Sequence, residues 1–262
     1  MHNPINQLPQ CFLTYLCSLL KKLEIIYCDE DMIAINKPHG LLVHRSTLAA
    51  DAGEFAMQML RNQIGRHVYP VHRLDRKTSG VLLFALSNQM SSSLQKLFAS
   101  GKINKTYLAI VRGYTNDTGT IDYPLKRENG SYQDAITHYR TLFRTEMDFP
   151  SHTHTTSRYS LVEVKPATGR MHQIRRHFAH IFHPIIGDRP HGCNKQNRFF
   201  KETFGMDTML LHASKLEFSH PITERRICIE AASLDEFNRM LQLIFQILDN
   251  SKMDDERQTQ TE

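Results

Sequence analysis

The sequence predicts the α/β fold class, with short buried strands interleaved with amphipathic helices in one domain. Three observations predict it. The run VLLFA at 81–85 is continuously apolar, too short for a globular helix, and preceded by the breaker pair Ser79-Gly80, so it reads as a strand buried on both faces. KTYLAIVR at 105–112 carries apolar side chains on both alternating sets, the pattern of a strand interior to its sheet. Between them Met90, Leu94, Leu97 and Phe98 recur at helical spacing.

Residues 23–27 and 32–36 are short β-rich runs, expected as two early strands around the acidic turn Asp29-Glu30-Asp31. Lys37-Pro38-His39-Gly40 forces a turn, after which LLVHR resumes an extended course. Residues 53–65 predict a helix with Phe55, Met59 and Leu60 at core spacing. Ser87 caps the helix that carries Met90 to Phe98, and Gly101 ends it. Residues 116–119 and 128–131 are turn-rich, and 136–142 and 158–164 read as strands. They flank a polar insert, 147–157, expected as an exposed loop. Its His152 and His154 stand at HxH spacing, but no nearby carboxylate or cysteine completes a metal-ligand set.

A helix is expected from around Arg170, with Met171, Ile174, Phe178 and Ile181 toward the core. LHASKLEF at 211–218 is a strand by alternation. Ser233 starts a last helix over 234–248, with Phe237, Leu241, Ile244, Phe245 and Leu248 on one stripe. The expected organisation is an N-terminal extension at 1–22, one domain at 23–249 and a polar, disordered tail at 250–262.

A chain of 262 residues with 40% hydrophobic content buries a sizeable core. The net charge of +5 favours a polyanionic partner. Five scattered cysteines without a CxxC pair argue against a disulfide framework or a structural zinc site, and fit a reducing cytoplasm. The apolar run CFLTYLCSLL at 11–20 is about half the length of a spanning helix. It lacks a basic region before it, and Lys21-Lys22 follows in place of a cleavage site, so it reads as a packing helix or docked extension. No membrane association is expected. Neither a GxGxxG motif nor a P-loop calls for a nucleotide cofactor.

The loop before the central strand packs His72, Arg73, Asp75, Arg76, Lys77, Thr78 and Ser79 around a single apolar residue, Leu74. Neighbouring cations favour the ionised form of a carboxylate, which suits a nucleophile or base better than a proton donor. A surface turn with a paired, structural Asp75 is the competing reading. Tyr107 by itself reads as a core tyrosine. His172, Arg175 and Arg176 read either as a solvated basic face or as groups projecting toward a polyanion.

HRLDRKTSGVLLFA closely resembles the catalytic motif of the RluA-type pseudouridine synthases, in which the aspartate of HRLD, followed by a TSG turn, is the catalytic carboxylate. Asp75 holds that position. KTYLA resembles the segment whose tyrosine lies over the target base, here Tyr107. TGRMHQIRRH resembles the family's third motif, whose second arginine pairs with the carboxylate, here Arg175. The resemblance runs from about Leu23 to about Glu230. It implies an α/β domain around a mixed, largely antiparallel sheet with flanking helices.

The reaction so implied isomerises a uridine within RNA: the N1 to C1′ bond breaks, the base rotates, and C5 bonds to C1′. Asp75 acts at the nucleotide, Arg175 holds it, and Tyr107 stacks on the flipped base and could accept a proton. Arg73 is expected to fill the space the base leaves, and Arg73, Arg76, His172 and Arg176 are the expected RNA contacts. His177, His180 and His183 are read as RNA-facing or packing histidines in place of a metal site. No metal or organic cofactor and no obligate protein partner is implied. INKPHGLLVHRS, AITHYR and HPIIGD are most similar to the branch acting on uridine 65 of tRNA, making tRNA the expected substrate over 23S rRNA. Lys77, where that branch tends to have proline, and the apolar N-terminus depart from the pattern. Two rivals are a glycoside or nucleoside hydrolase, for which Asp188 is the one remote candidate for a second carboxylate, and a non-catalytic RNA-binding module.

Overall fold

The computed structural model describes residues 22–44, 54–150 and 155–246. The expected N-terminal packing helix, His152, His154, Leu248 and the tail lie outside the described residues. Strands β1 (Glu24–Cys28), β2 (Met32–Lys37), β4 (Ser79–Ala85), β5 (Asn104–Arg112), β6 (Thr118–Asp122), β9 (Ile136–Met147), β10 (Ser157–Pro166) and β11 (Leu211–Ser219) form one sheet in the order β1-β2-β4-β11-β5-β10-β9-β6. Short β3 (Tyr69–Pro70) pairs with β4, and β12 (Arg226–Glu230) with β11, making ten strands. A separate hairpin joins β7 (Leu125–Lys126) and β8 (Tyr132–Gln133). Every pairing in the large sheet is antiparallel except β4 with β11. The mixed, largely antiparallel sheet expected from the sequence is present.

All seven residues of β4 are buried, because its two faces meet different helices. Val81, Leu83 and Ala85 pack with Met90 and Leu94 of α2 (Asn88–Ala99). Leu82 and Phe84 pack with Ala56 and Leu60 of α1 (Ala56–Ile64). Each such Leu or Phe contributes about 1.5–3 kcal/mol relative to exposure. The other half of the sheet repeats the scheme. Ala109, Val111, Val162 and Val164 meet Ile174 and Phe178 of α3 (Gln173–His180). Ile110, Tyr159 and Leu161 meet Phe200 of α4 (Asn194–Phe204) and Phe237 and Met240 of α5 (Asp235–Phe245). Among the described residues no helix is long and apolar enough to cross a membrane.

Several expectations need correction. Ser79 and Gly80 do not precede the central strand but open it, and they form its parallel pairing with His212 and Ala213. Gly80 has φ +106, and a Cβ there would lie 2.2 Å from the Ala213 carbonyl oxygen, so glycine is required by both conformation and space. The extended course expected after Gly40 is short: Leu42 makes an isolated bridge with Phe55, and the chain bends at Val43 and His44. Thr118 and Gly119 belong to β6, where Gly119 lies under the Tyr139 ring. The helix expected from Arg170 starts at Gln173, because His172 adopts left-handed backbone angles (φ 53) and breaks the helical path. Met171, expected in the core, therefore precedes the helix and is 49% exposed. Helix α4 and strand β12 have no counterpart in the sequence reading.

Candidate active site

Three pieces of chain meet around Ala213 of β11. On one side Ala213 pairs with Gly80 of β4, and on the other with Tyr107 of β5. That register brings the loop preceding β4 to the start of β5, although the two are distant in sequence. Helix α3 closes the third side. The result is a cleft of about 540 Å³ lined by Arg73, Asp75, Lys105, Tyr107, His172 and Arg175, with the exposed Met171 also on its wall.

The loop carrying Asp75 is held from several directions. Its Thr78 amide donates to the Asp75 carbonyl (3.0 Å), closing a tight turn. The Gly40 amide donates to the Arg76 carbonyl (2.8 Å), and Arg76 Nε donates back to the Gly40 carbonyl (3.0 Å). Fully buried Lys37 donates from Nζ to the carbonyls of Pro38, Leu41 and Arg76 at 2.8, 2.8 and 3.3 Å. Burial pushes its ammonium down to about 7, against the opposing pull of Asp75. His72 accepts the Leu83 amide at Nε2 (3.0 Å) and stacks on Phe98. Burial, and then the charge of Lys105, pushes it down to about 3, so it is a neutral structural ring. Behind the loop His212 Nε2 faces the Ala231 carbonyl at 3.1 Å. A carbonyl only accepts, so Nε2 carries the proton and Nδ1 accepts from the Ser79 hydroxyl at 2.9 Å.

Arg175 reaches Asp75 from α3. Its Nη1 donates to Asp75 Oδ2 at 2.7 Å, while Nε and Nη2 donate to the two oxygens of Asp188, each at 2.8 Å. Asp188 is 1% exposed, Arg175 6% and Asp75 22% by side chain, so the chain of charges runs from the interior to the cleft. Burial opposes the Arg175 charge, but the hydrogen bonds of Asp188 and Asp75 outweigh it and hold its pKa above the ordinary value. The same contacts change the reading of Asp188. As a second catalytic carboxylate it would need a free oxygen facing the cleft, whereas both oxygens grip Arg175. The two carboxylates are joined through one guanidinium, an arrangement that orients Asp75 rather than supplying a separate acid.

Tyr107 lies between the apolar residues of the two halves of the sheet. Burial, then the charge of Asp75, pushes its phenol above the ordinary value. The resting hydroxyl is therefore protonated, and acceptance of a proton there requires that it first be lost. His172 places Nε2 3.9 Å from Asp75 Oδ2 and pairs through Nδ1 with His191 Nε2 at 3.0 Å. Burial lowers the pKa of both rings.

Of the sequence-selected residues, the structure brings Asp75, Tyr107, Arg175, Arg73 and His172 together. Arg73 is exposed on the cleft wall. Arg76 and Arg176 do not line the cleft: Arg76 is bonded to Gly40, and Arg176 donates to the Lys126 carbonyl at 3.1 Å. His177 bonds Thr137 and the Tyr123 carbonyl, His180 stacks on Tyr123, and His183 contacts the Arg112 carbonyl. The three rings thus serve separate packing contacts. Sequence reasoning did not single out Lys37, Lys105 or Arg170, although all three lie within quoted strings. Lys105 and Arg170 line the cleft and add to its positive charge, Lys105 bonding the Thr168 carbonyl and Arg170 the Asp134 carbonyl.

Residues 31–180 match the model of the family described as RNA pseudouridylate synthase. The chain belongs to this family. Its members are isomerases that convert uridine in RNA, so the chemistry read from HRLD, KTYLA and TGRMHQIRRH is that of an RNA pseudouridylate synthase. The chain is 49% identical over 225 residues to the tRNA pseudouridine synthase C of Vibrio cholerae, covering 82% of this chain and 92% of that protein. With that of Haemophilus ducreyi it shares 48% over 230 residues, covering 84% and 94%. Two human structures share the fold. RNA Pseudouridylate Synthase Domain Containing 4 gives a TM-score of 0.66 at 24% identity, covering 88% of this chain and 97% of that one. Domain Containing 1 gives 0.64 at 23%, covering 85% and 96%.

Proposed function

We propose that this pseudouridylate synthase isomerises a uridine of tRNA, at position 65, with Asp75 as the catalytic carboxylate. The observation that carries the reading is the Asp75–Arg175–Asp188 chain at the floor of a positively charged cleft beside Tyr107. The tRNA substrate is supported by the names of the relatives above, which align over nearly their whole length.

A uridine inside a folded arm cannot present C1′ to a carboxylate until it leaves its stack, and the cleft has room for an extruded nucleotide. Tyr107 offers a ring face against which the detached uracil can be retained while it turns. Arg175 keeps one Asp75 oxygen engaged and leaves the other to act at the sugar. Arg73, exposed and without a hydrogen-bond partner among the described residues, fits the space vacated by the base, and His172 faces the same nucleotide. Arg76 and Arg176 contribute only to the surrounding positive field. Residues 23–249 form the catalytic unit, acting in the cytoplasm where tRNA is matured.

Incubating the protein with unmodified tRNA and a 23S rRNA fragment, and mapping pseudouridine by carbodiimide-primer extension, tests this. A stop at tRNA position 65 that is lost with Asp75→Asn supports the proposal. Modification of rRNA alone overturns the substrate, and modification by Asp75→Asn overturns the role of the carboxylate.

A further inference from the structure

We propose that His172 is the base that takes the hydrogen from C5 of the target uracil after C5 has bonded to C1′. The inference rests on the isomerase reading above and adds a second reacting group to it.

Isomerising uridine moves one hydrogen as well as one glycosidic bond: C5 carries a hydrogen in the substrate, and N1 carries one in the product. Once C5 has attacked C1′ it is tetrahedral, and the ring holds an N1=C6 double bond. The C5–H bond then breaks, and its proton passes to His172 Nε2. Its electron pair becomes the C5=C6 double bond, and the N1=C6 pair moves to N1, which takes a proton from water. The imidazolium returns its proton to solvent, so the enzyme ends as it began. This step needs an unprotonated base within reach of the nucleotide held at Asp75.

Few groups on the cleft meet that need. Of the titratable side chains lining it, Asp75 is engaged at the sugar, Tyr107 rests protonated, and the free lone pair of His72 is taken by the Leu83 amide. Lys105 is bonded to the Thr168 carbonyl, and Arg73, Arg170 and Arg175 are cations. His172 remains. Its Nδ1 pairs with His191 Nε2 at 3.0 Å, and its Nε2 has no hydrogen bond among the described residues. Nε2 lies 3.9 Å from Asp75 Oδ2, beyond hydrogen-bond distance, which suits two facing lone pairs and not an N–H aimed at a carboxylate. The hydrogen between the two histidines is therefore assigned to His172 Nδ1, leaving Nε2 free to accept.

The backbone holds the ring in place. His172 has φ 53 and ψ 28, a left-handed conformation that a residue other than glycine adopts at a cost and that clusters at functional sites. Its carbonyl accepts the Arg176 amide at 2.9 Å and stays with helix α3, while the ring stands on the cleft wall. His191 is fixed in turn, because its amide donates to Asp188 Oδ1 at 3.3 Å. One buried carboxylate thus anchors the partners of both Asp75 and His172. Burial keeps the His172 ring neutral at rest; Asp75 and Asp188 oppose this, and Arg175 and Arg73 reinforce it. When the ring takes a proton, the Asp75 charge beside it stabilises the imidazolium.

The test compares single-turnover pseudouridine formation on RNA transcribed with ordinary or 5-deuterated uridine, for wild type, His172→Asn and His172→Gly. Asparagine and glycine both accept the left-handed backbone, and neither takes up a proton. We expect both variants to bind the RNA as wild type does and to lose about 100-fold in rate. The slowed reaction should show a primary deuterium isotope effect, and added imidazole should restore part of the rate of His172→Gly. A rate near that of wild type, or a loss without a primary isotope effect, overturns the assignment. The RNA is whichever of tRNA and 23S rRNA the wild type modifies, so a wrong substrate shows in the wild type and a wrong role for His172 only in the variants. If the wild type modifies neither, both readings fall.

Discussion

The guanidinium of Arg175 donates to Asp75, 100 residues earlier in the chain, at 2.7 Å, and its other two donors used here belong to Asp188. A planar fork can satisfy both carboxylates without moving, whereas an ammonium on a flexible stem cannot. Arg175→Lys keeps the charge but loses that geometry. We expect the single-turnover rate of pseudouridine formation to fall about 100-fold, the scale of a displacement of about 1 Å in a positioned group, with tRNA affinity within about threefold. An equal loss in affinity and rate would show that Arg175 acts mainly by binding RNA.

Asp188→Asn removes the buried partner of a buried cation. Such a change costs about 3–5 kcal/mol, and the remaining Asp75 contact favours the lower end. For a chain of this size the melting temperature should drop by roughly 6–12 °C, read by calorimetry or circular dichroism. A shift of less than about 2 °C would mean that the bidentate pair contributes little net stability.

Gly80→Ala should prevent normal folding. The residue sits at φ +106 with the Ala213 backbone 2.2 Å from the place of a Cβ, and neither neighbour is a flexible side chain. Gly65→Ala provides the comparison: its φ of +66 is also left-handed, but nothing lies within 4 Å. It should cost only about 1–2 kcal/mol. Similar denaturation midpoints for the two variants would contradict the close β4–β11 approach.

Acid should destabilise the fold through His72. Its folded pKa, about 3, lies below the usual 6.5, so below pH 6.5 the unfolded chain takes up a proton that the folded one refuses. This contribution to stability is full above pH 6.5 and is lost as pH falls toward 3, at about 1.4 kcal/mol per pH unit once the unfolded histidine is charged. His72→Gln keeps an acceptor for the Leu83 amide and removes the titration. The pH dependence of unfolding free energy between pH 6 and 4 should flatten by close to one proton, and an unchanged slope would exclude His72 as the source.

Most strands and helices were legible in the sequence because their signals are local. The VLLFA run, the Ser87 cap and the alternation in KTYLAIVR do not depend on distant neighbours. Met171 fails for the same reason: apolar spacing predicts a core face, but a left-handed His172 makes the helix start only at Gln173 and leaves Met171 outside it. Helix α4 was missed because its polar face faces a cavity, and its aromatic residues find partners, such as Tyr159, far away in sequence. Asp75, Tyr107 and Arg175 were legible only because their motifs resemble those of a family. Nothing in their local chemistry says that they meet.

The sequence alone determined where most of the buried strands and helices lie and which polar residues are gathered in motifs, since period, propensity and turn chemistry act over a few residues. The tertiary structure alone decided that Asp188 serves Arg175, that Arg76 and Arg176 leave the cleft, and that Lys37 holds the Asp75 loop from within the core. Those outcomes depend on contacts between residues tens to a hundred positions apart, and on burial, which sets the cost of leaving a charge or hydrogen-bonding group unpaired.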